Sequence, residues 1–246
     1  MTVDKRILTA YKETKTNADV SHANTFSYKM NVLLSSLKRR GIKGTLDKIF
    51  LYTYFYRSGV DLSSENLFDL TLVGEHKDHG TAYLQNSYEV TDTIIREIEK
   101  LYPDVKKGAF LDYGSGKGLP MIIAQKHGFQ RVIGVEFAKE LYEVSVLNMM
   151  KLGIKNFDLY NMDAAEYVLD SDISLIMLFN PFDAVVMKKV SDKIVSFKDK
   201  FLRDVYISYM NPTCNYIFAD DKNYIFIKNV VFETGEIVNI FKLRRD

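Results

Sequence analysis

Three glycines at alternate positions, Gly114, Gly116 and Gly118, form the segment of this chain that is best suited to hold a ligand. They follow a short apolar run that ends near Asp112, and an amphipathic stretch begins at Leu119. Glycine lets a backbone bend sharply and lets a ligand approach where a Cβ would intervene. A helix that begins at Leu119 would add unpaired backbone N–H groups. The spacing therefore predicts a ligand-binding turn between a strand and a helix.

The charge beside this turn indicates which ligand it suits. Dinucleotide-binding turns have the pattern G-x-G-x-x-G and place a pyrophosphate at the helix N-terminus. Here the third glycine comes one residue earlier, and Asp112 would repel a pyrophosphate but attract an ammonium group. The phosphate-binding pattern G-x-x-x-x-G-K-[ST] does not occur in the chain. S-adenosylmethionine carries an ammonium and a sulfonium and no phosphate, so the residues favour it over NAD.

A second acid, Glu136, ends the apolar run 132–136. It lies one strand–helix–strand crossover beyond Asp112, which would bring both acids to the same edge of a parallel sheet. A carboxylate at this strand end can accept hydrogen bonds from both hydroxyls of a ribose. The alternative is a plain exposed acid at a strand end, but the glycine turn before it favours the ligand-binding interpretation.

Together these segments resemble motifs I and II of the class I S-adenosylmethionine-dependent methyltransferases, over roughly residues 80–244. Within that family, residues 111–118 and 132–136 are similar to those of small bacterial enzymes, many of them without an assigned substrate. The resemblance implies a seven-stranded sheet with a reversed last strand, with S-adenosylmethionine as methyl donor and S-adenosylhomocysteine as product. It also implies that Asp163, at the end of the third strand, lies beside the adenine amino group.

A segment before the first strand covers the methionine end of the cofactor in this family, and Tyr83 and Ser87 match it here. A simple N-cap of the next helix is an equally open interpretation of Ser87. The expected cofactor-binding residues are Tyr83, Ser87, Asp112, Gly114, Ser115, Gly116, Gly118, Glu136, Phe137, Asp163, Ala164 and Asn180.

The run Asn180-Pro181-Phe182-Asp183 ends the fourth strand, where ligands bind in parallel sheets. It is similar to the [DN]-P-P-[YF] motif of amino-methylating enzymes, but the second proline is missing, which moves the aromatic ring and weakens an adenine-N6 interpretation. The alternative is that Asn180 and Pro181 only end the strand. The candidate acceptor contacts are Asn180, Phe182, Asp183 and His79. No spacing assigns a catalytic base among Asp183, His76, His79 and Tyr83, and no metal site is expected.

The pattern of apolar and polar residues along the chain predicts the strands and helices that position these residues. From Lys107 onward, short apolar runs alternate with amphipathic stretches, which predicts βαβ units and a parallel sheet. Two strand-like runs, 224–232 and 237–243, predict an antiparallel hairpin that closes the sheet. The fold class expected is α/β, a Rossmann-like doubly wound sheet of seven strands with an antiparallel last strand. This domain would span residues 81–246, after an N-terminal helical cap over residues 1–80.

Bulk properties limit the cellular setting. The 246 residues carry a formal net charge of +1, which makes a nucleic-acid partner unlikely on electrostatic grounds. Cys214 is the only cysteine, and the longest apolar run, 173–179, is far shorter than the ~20 residues that span a bilayer. These features predict a cytoplasmic enzyme that methylates a hydroxyl or amino group of a small molecule or of a sugar- or lipid-linked intermediate. The alternatives are a protein or nucleic-acid methyltransferase and a non-catalytic S-adenosylmethionine-binding protein.

Overall fold

A computed structural model describes residues 34, 37–38, 41–42, 45–46, 49–50, 53–63, 70–75 and 88–245. It divides the chain into two compact units, Met1–Val60 and Asp61–Asp246. In the first unit the described residues are helical up to residue 58, and the amide of Val60 donates a hydrogen bond to the carbonyl oxygen of Phe55 at 3.1 Å. No helix among the described residues is long and apolar enough to cross a membrane.

The described residues of the second unit form one seven-stranded sheet in the order β3-β2-β1-β4-β5-β7-β6. The strands are β1 (Ala109–Tyr113), β2 (Arg131–Glu136), β3 (Phe157–Asn161), β4 (Ile173–Phe179), β5 (Tyr206–Met210), β6 (Tyr224–Val231) and β7 (Ile237–Leu243). Neighbours among the first five strands are parallel, whereas β7 is antiparallel to both β5 and β6. The predicted fold class, with its antiparallel last strand, is confirmed.

Five α-helices and two short 3-10 helices complete the described part of this unit. The α-helices are α1 (Tyr88–Leu101), α2 (Leu119–His127), α3 (Lys139–Lys151), α4 (Ala184–Ser196) and α5 (Tyr216–Ala219), and the 3-10 helices are Pro103–Lys107 and Lys198–Lys200. In α1 the buried residues Val90, Ile94 and Ile98 recur at helical spacing, which gives this helix the apolar face that it needs to pack against α2.

The side chains of β1 point alternately to the two faces of the sheet, and both faces are packed. Leu111 and Tyr113 point into a core that includes Val186 of α4. Phe110 points to the opposite face, where its ring meets Phe129 with centroids 5.6 Å apart. Burial of an apolar side chain of this size contributes ~1.5–3 kcal/mol. Asp112 shares the face of Phe110, because residues two apart in a strand point the same way.

The hairpin of β6 and β7 closes the sheet, as its sequence pattern predicts. The amide of Phe232 donates to the carbonyl oxygen of Glu236 at 2.9 Å, and the amide of Gly235 donates to that of Phe232 at 3.0 Å. Gly235 has φ +100°, a left-handed conformation that favours glycine. Because β7 inserts between β5 and β6, both of its backbone edges are paired.

Candidate functional site

The turn between β1 and α2 needs glycine for conformation and for space. Gly114, Gly116 and Gly118 have φ values of 77°, 51° and 85°. A Cβ on Gly114 would lie 2.6 Å from the Cβ of Pro181, and one on Gly118 would lie 2.5 Å from the Oγ of Ser145. Both distances are shorter than real Cβ contacts. The backbone of this turn therefore approaches the segments after β4 and in α3 more closely than any residue with a side chain would allow.

Glu136, at the end of β2, is bonded to the glycine turn. Its side chain is 3% exposed, and its two carboxylate oxygens accept hydrogen bonds from the amides of Gly116 and Ala138, each at 2.8 Å. Burial raises the pKa of Glu136 to about 7, although the bonds from Ala138 and Gly116 act in the opposite direction. Glu136 thus links the end of β2 to the turn after β1.

Asp112 is a second buried carboxyl on the same face of the sheet. It pairs with Gly134 across β1 and β2, two residues before Glu136, and is 1% exposed. Its Oδ2 has no hydrogen-bond partner among the described residues, and neither has the Oγ of Ser115. Burial, and then the charge of Glu136, raise the pKa of Asp112 well above its ordinary value. The result is a pair of buried acids beside the glycine turn.

A cleft of about 370 Å³ lies where the first four strands end. We call it the strand-end cleft. It is lined by Gly114, Val135, Phe137, Met162, Asp163, Ala164, Pro181, Phe182 and Val186. The structure thus brings together five of the residues expected from the sequence: Gly114, Phe137, Asp163, Ala164 and Phe182. Met162, Val135, Pro181 and Val186 were not expected, and their apolar side chains carried no signal that distinguishes a cleft wall from core.

Asp163 is the acidic residue in the lining of the strand-end cleft, and it is 4% exposed. Its Oδ1 accepts a hydrogen bond from the amide of Ala165 at 2.8 Å. A Cβ on Gly74, whose φ is +97°, would lie 2.5 Å from the Cβ of Asp163. The backbone at Gly74 therefore packs directly on this acid.

Residues 71–74 pair with the chain just after β2. Leu72 forms an antiparallel bridge with Ala138. The amide of Val73 donates to the carbonyl oxygen of Phe137 at 3.0 Å, and the amide of Lys139 donates to that of Thr71 at 2.9 Å. This pairing is not predicted by the sequence, which places residues 71–74 in the N-terminal helical cap. Isolated Gly74 was the one local signal, since glycine marks a close backbone approach.

Asn180 has a left-handed backbone conformation, with φ +40°, which is rare for a residue other than glycine. Its Oδ1 accepts a hydrogen bond from the Oγ1 of Thr213 at 2.6 Å and a longer one from the hydroxyl of Tyr209 at 3.4 Å. These contacts connect the end of β4 to the segment after β5. Asn180 is not among the residues that line the strand-end cleft.

Phe182 and Asp183, which the sequence predicts to contact the acceptor, also have structural roles. Phe182 is 6% exposed, and its ring meets that of Tyr113 edge-on, with centroids 6.3 Å apart. The Oδ1 of Asp183 accepts hydrogen bonds from the amides of Val185 at 2.9 Å and Val186 at 3.4 Å. Asp183 is therefore the N-cap of α4, which a carboxylate before a helix commonly is.

Four expected residues, His76, His79, Tyr83 and Ser87, lie outside the described residues, and their roles stay predictions. Within the described part of the chain, no group of three His, Cys, Asp or Glu side chains is arranged to hold a metal ion. Both histidines of the 75–79 run lie outside the described residues, so the expectation that the chain has no metal site stays a prediction.

Comparisons of the whole chain with known proteins give matches by structure alone. No protein-family model and no curated protein sequence matches it. The Escherichia coli protein yhhF, a candidate methyltransferase, matches with a TM-score of 0.54 and 12% identity, over 66% of this chain and 90% of that one. An RNA methyltransferase from Salinibacter ruber, solved with S-adenosyl-L-homocysteine, matches with a TM-score of 0.51 and 16% identity, over 66% of this chain and 95% of that one.

A third structure, HI0767 of Haemophilus influenzae, a candidate methylase, matches with a TM-score of 0.50 and 13% identity, over 63% of this chain and 99% of that one. At such identities the likeness concerns the fold. The strand order, the glycine turn after β1 and the buried acid that ends β2 match what the sequence resemblance implies. The chain therefore has the fold of the class I S-adenosylmethionine-dependent methyltransferases.

Proposed function

We propose that this chain is an S-adenosylmethionine-dependent methyltransferase. The observation that carries the proposal is the pair of buried carboxyls, Asp112 and Glu136, beside the glycine turn. Burial and mutual repulsion disfavour their charged forms. A cationic ligand group placed beside them would stabilise the carboxylates, whereas a pyrophosphate would destabilise them further. S-adenosylmethionine has an ammonium group and ribose hydroxyls and no phosphate, which matches this requirement.

The residues present fit this cofactor. Asp112 would hold the ammonium through Oδ2, which lacks a partner among the described residues. Glu136 would accept the ribose hydroxyls, since each carboxylate oxygen can accept a second hydrogen bond beside its backbone donor. Asp163 would accept from the adenine amino group, with Phe137 as an apolar wall. When bound, S-adenosylmethionine supplies a methyl group that its sulfonium already activates.

The contribution of this chain to the reaction would be mainly orientation. Alignment of acceptor and donor can supply much of the rate of such a transfer, because effective molarities of well-oriented groups are high. A hydroxyl or amine acceptor must also lose a proton. Asp183 is poorly suited to take it, since its carboxylate already accepts two backbone N–H groups at the start of α4. The base therefore remains unassigned.

For the acceptor, we propose a hydroxyl or amino group of a small molecule or of a sugar- or lipid-linked intermediate. The support is electrostatic. The net charge of the chain is +1. Basic residues such as Lys100, Lys188 and Arg131 form ion pairs with acids of the sheet unit. Such paired charges do not provide the open basic stripe that a nucleic-acid backbone requires.

RNA is a second candidate acceptor, and two observations favour it. The Salinibacter ruber structure that shares the fold is an RNA methyltransferase. The Asn180-Pro181-Phe182 run at the end of β4 is also similar to the motif of amino-methylating enzymes. An amino group on a base would then replace the small-molecule acceptor.

Cofactor identity is tested first, by isothermal titration calorimetry. We expect S-adenosylhomocysteine and S-adenosylmethionine to bind, and NAD to bind at least a hundredfold more weakly, a difference of about 2.7 kcal/mol. Asp112→Asn removes the negative charge with little change of shape and should weaken both adenosyl ligands. Tighter binding of NAD than of either adenosyl ligand would contradict the proposal.

Acceptor class is tested by incubating the protein with S-adenosylmethionine that carries a labelled methyl group and with three fractions of a bacterial cell extract. The fractions are small molecules with extractable glycolipids, total RNA, and protein. We expect label in the first fraction, and none with Asp112→Asn. Label confined to RNA supports the second candidate. Binding of S-adenosylhomocysteine without any transfer supports the non-catalytic alternative.

A further inference from the structure

Lys117 lies inside the glycine turn, yet its side chain is not part of the strand-end cleft. It is 1% exposed, and its Nζ lies 3.5 Å from Asp61 Oδ1 and donates a hydrogen bond to Ser63 Oγ at 3.0 Å. A buried ammonium is costly unless it is paired and hydrogen-bonded. Asp61 and Ser63 therefore contribute to holding Lys117 in its observed position.

The backbone of the same two segments is joined by Asn148 of α3, which is fully buried. Its Nδ2 donates to the carbonyl oxygens of Lys117 at 3.0 Å and Asp61 at 2.9 Å, and its Oδ1 accepts from the amide of Asp61 at 2.9 Å. Asp61 Oδ1 also accepts from the amide of Ser63 at 3.0 Å and from its hydroxyl at 2.7 Å. We call Asp61, Ser63, Lys117 and Asn148 the loop latch.

We propose that Lys117 is a positioning residue that, through the loop latch, couples the docking of residues 61–63 to the cofactor-binding conformation of the glycine turn. Glycines at positions 116 and 118 leave the backbone many conformations, and a tethered lysine between them restricts that choice. Because coupling between two sites is reciprocal, ligand binding would also stabilise the docked segment. The inference rests on the proposed function for its ligand.

The loop latch can be opened from either side in the full-length protein. Lys117→Met keeps an unbranched side chain of similar length and removes the ammonium. Ser63→Ala removes the hydroxyl that accepts from Lys117, whereas Ser63→Thr keeps it, and Ser63 is exposed enough to tolerate both changes. Lys228→Met is the matched control, because it breaks a different ion pair, to Glu97 at 2.7 Å.

We expect the affinity for S-adenosylhomocysteine, measured by calorimetry, to fall on the order of tenfold in Lys117→Met. Ser63→Ala should lose roughly threefold, while Ser63→Thr and Lys228→Met stay close to wild type. In hydrogen exchange, S-adenosylhomocysteine should slow the amides of Asp61 and Ser63 in the wild type but not in Lys117→Met. A purely structural lysine would not change this ligand dependence.

Unchanged affinity in folded Lys117→Met, or ligand-dependent slowing of residues 61–63 that persists in it, overturns the proposal. If Lys117→Met does not fold, the comparison of Ser63→Ala with Ser63→Thr decides. If the wild type does not bind S-adenosylhomocysteine at all, the proposed function fails. The coupling through the loop latch is then tested by hydrogen exchange of the protein without ligand. Faster exchange at the amides of Gly116 and Gly118 in Lys117→Met than in Lys228→Met supports it, and equal exchange overturns it.

Discussion

Glu136 has a structural role in the protein that is separate from its proposed ligand role. Its two oxygens accept from Gly116 and Ala138, so it orders the glycine turn before any ribose hydroxyl could reach it. Sequence spacing was enough to single out Glu136, because the turn and the strand end are encoded by short local patterns. The backbone donors of its carboxylate could not be predicted, since they depend on how the turn folds back toward β2.

The first prediction concerns Glu136→Gln. The amide nitrogen of glutamine would face one of the two backbone N–H donors, so one hydrogen bond is lost and a donor is left opposite a donor. The variant also replaces the charged acceptor of the ribose hydroxyls by a neutral amide; hydrogen bonds to charged groups contribute about 1.5–3 kcal/mol, so the affinity for S-adenosylhomocysteine should fall roughly ten- to a hundredfold. Calorimetry measures this. Glu143→Gln on α3 is the control and should bind normally; equal affinity of both variants would remove Glu136 from the site.

Proton linkage provides the second prediction. The pKa of Glu136, raised to about 7, means that the free protein carries a proton there over part of the neutral range, and burial raises the pKa of Asp112 in the same direction. A ligand ammonium favours the charged carboxylates, so binding should release protons and the affinity should rise with pH between about 5.5 and 7.5. Calorimetry in two buffers of different ionisation enthalpy counts the released protons. Release should shrink in Glu136→Gln, and pH-independent affinity without proton release would contradict the assignment.

At the scale of elements, strands were more predictable than the contacts between them. The predicted runs 132–136, 224–232 and 237–243 agree with β2, β6 and β7 within one residue, because each strand is a short apolar run between turn residues. Helix α4 was not foreseen, although Asp183 before it is a recognisable N-cap. The pairing of residues 71–74 and the contact of Lys117 with Asp61 join segments far apart in sequence, and no local pattern encodes such contacts.

The turn after β4 combines backbone strain with a side-chain tether. Asn180 keeps φ +40° while its Oδ1 accepts from Thr213, so the segment after β5 holds the conformation at the end of β4. Left-handed backbone costs roughly 1–2 kcal/mol for a residue with a side chain, and asparagine tolerates it better than most. Strained residues cluster at functional sites, which keeps an acceptor-binding role for this turn among the predictions.

The third prediction separates the backbone of Asn180 from its side chain. Asn180→Gly loses the tether but relieves the strain, whereas Asn180→Ala loses the tether and keeps the strain. Alanine should therefore lower the free energy of unfolding by about 1 kcal/mol more than glycine does. Urea denaturation measures the difference.

The affinity of both Asn180 variants for S-adenosylhomocysteine should stay within about threefold of wild type, since Asn180 is not part of the cleft lining. Once an acceptor is known, turnover that falls in folded variants with normal cofactor affinity would support acceptor positioning. Turnover that falls only in proportion to unfolded protein would limit Asn180 to a structural role. A collapse of cofactor affinity would instead place it in the cofactor site.

Across the whole molecule, ionisable groups act on stability in two opposite ways. Burial and repulsion raise the pKa values of the acids Asp112 and Glu136. Burial of His127 acts to lower its pKa, but hydrogen bonds with Asp92 and Glu99 outweigh it and raise the value. For all three groups the folded state binds protons more tightly than the unfolded state. The free energy of unfolding therefore falls as the pH rises from each group's ordinary pKa to its raised pKa.

Acids with lowered pKa values give the opposite dependence. For Asp92, burial acts to raise the pKa, but hydrogen bonds from His127 and Arg96 lower it overall. For Glu140 on α3, burial likewise acts to raise the pKa, but hydrogen bonds from the side chain and the amide of Thr71 help to lower it overall. The stability that these acids contribute is present above their ordinary pKa near 4 and is lost as the pH falls through the folded value.

The last prediction is therefore a stability maximum near pH 5 for the protein without ligand. Between pH 5 and 7.5 the free energy of unfolding should decrease, and the rise of the Glu136 pKa from 4.5 to about 7 alone corresponds to about 3 kcal/mol at 1.36 kcal/mol per unit. Urea denaturation followed by circular dichroism, at fixed ionic strength from pH 4 to 8, measures the profile. Glu136→Gln should flatten its neutral limb, because the amide does not titrate, while the acidic limb below pH 4.5 stays. Saturating S-adenosylhomocysteine should also flatten that limb, because the ligand favours the charged carboxylates, whereas burial in the free protein disfavours them. A stability that rises steadily from pH 5 to 7.5 in the wild type would show that these acids are ionised in the folded protein without a ligand.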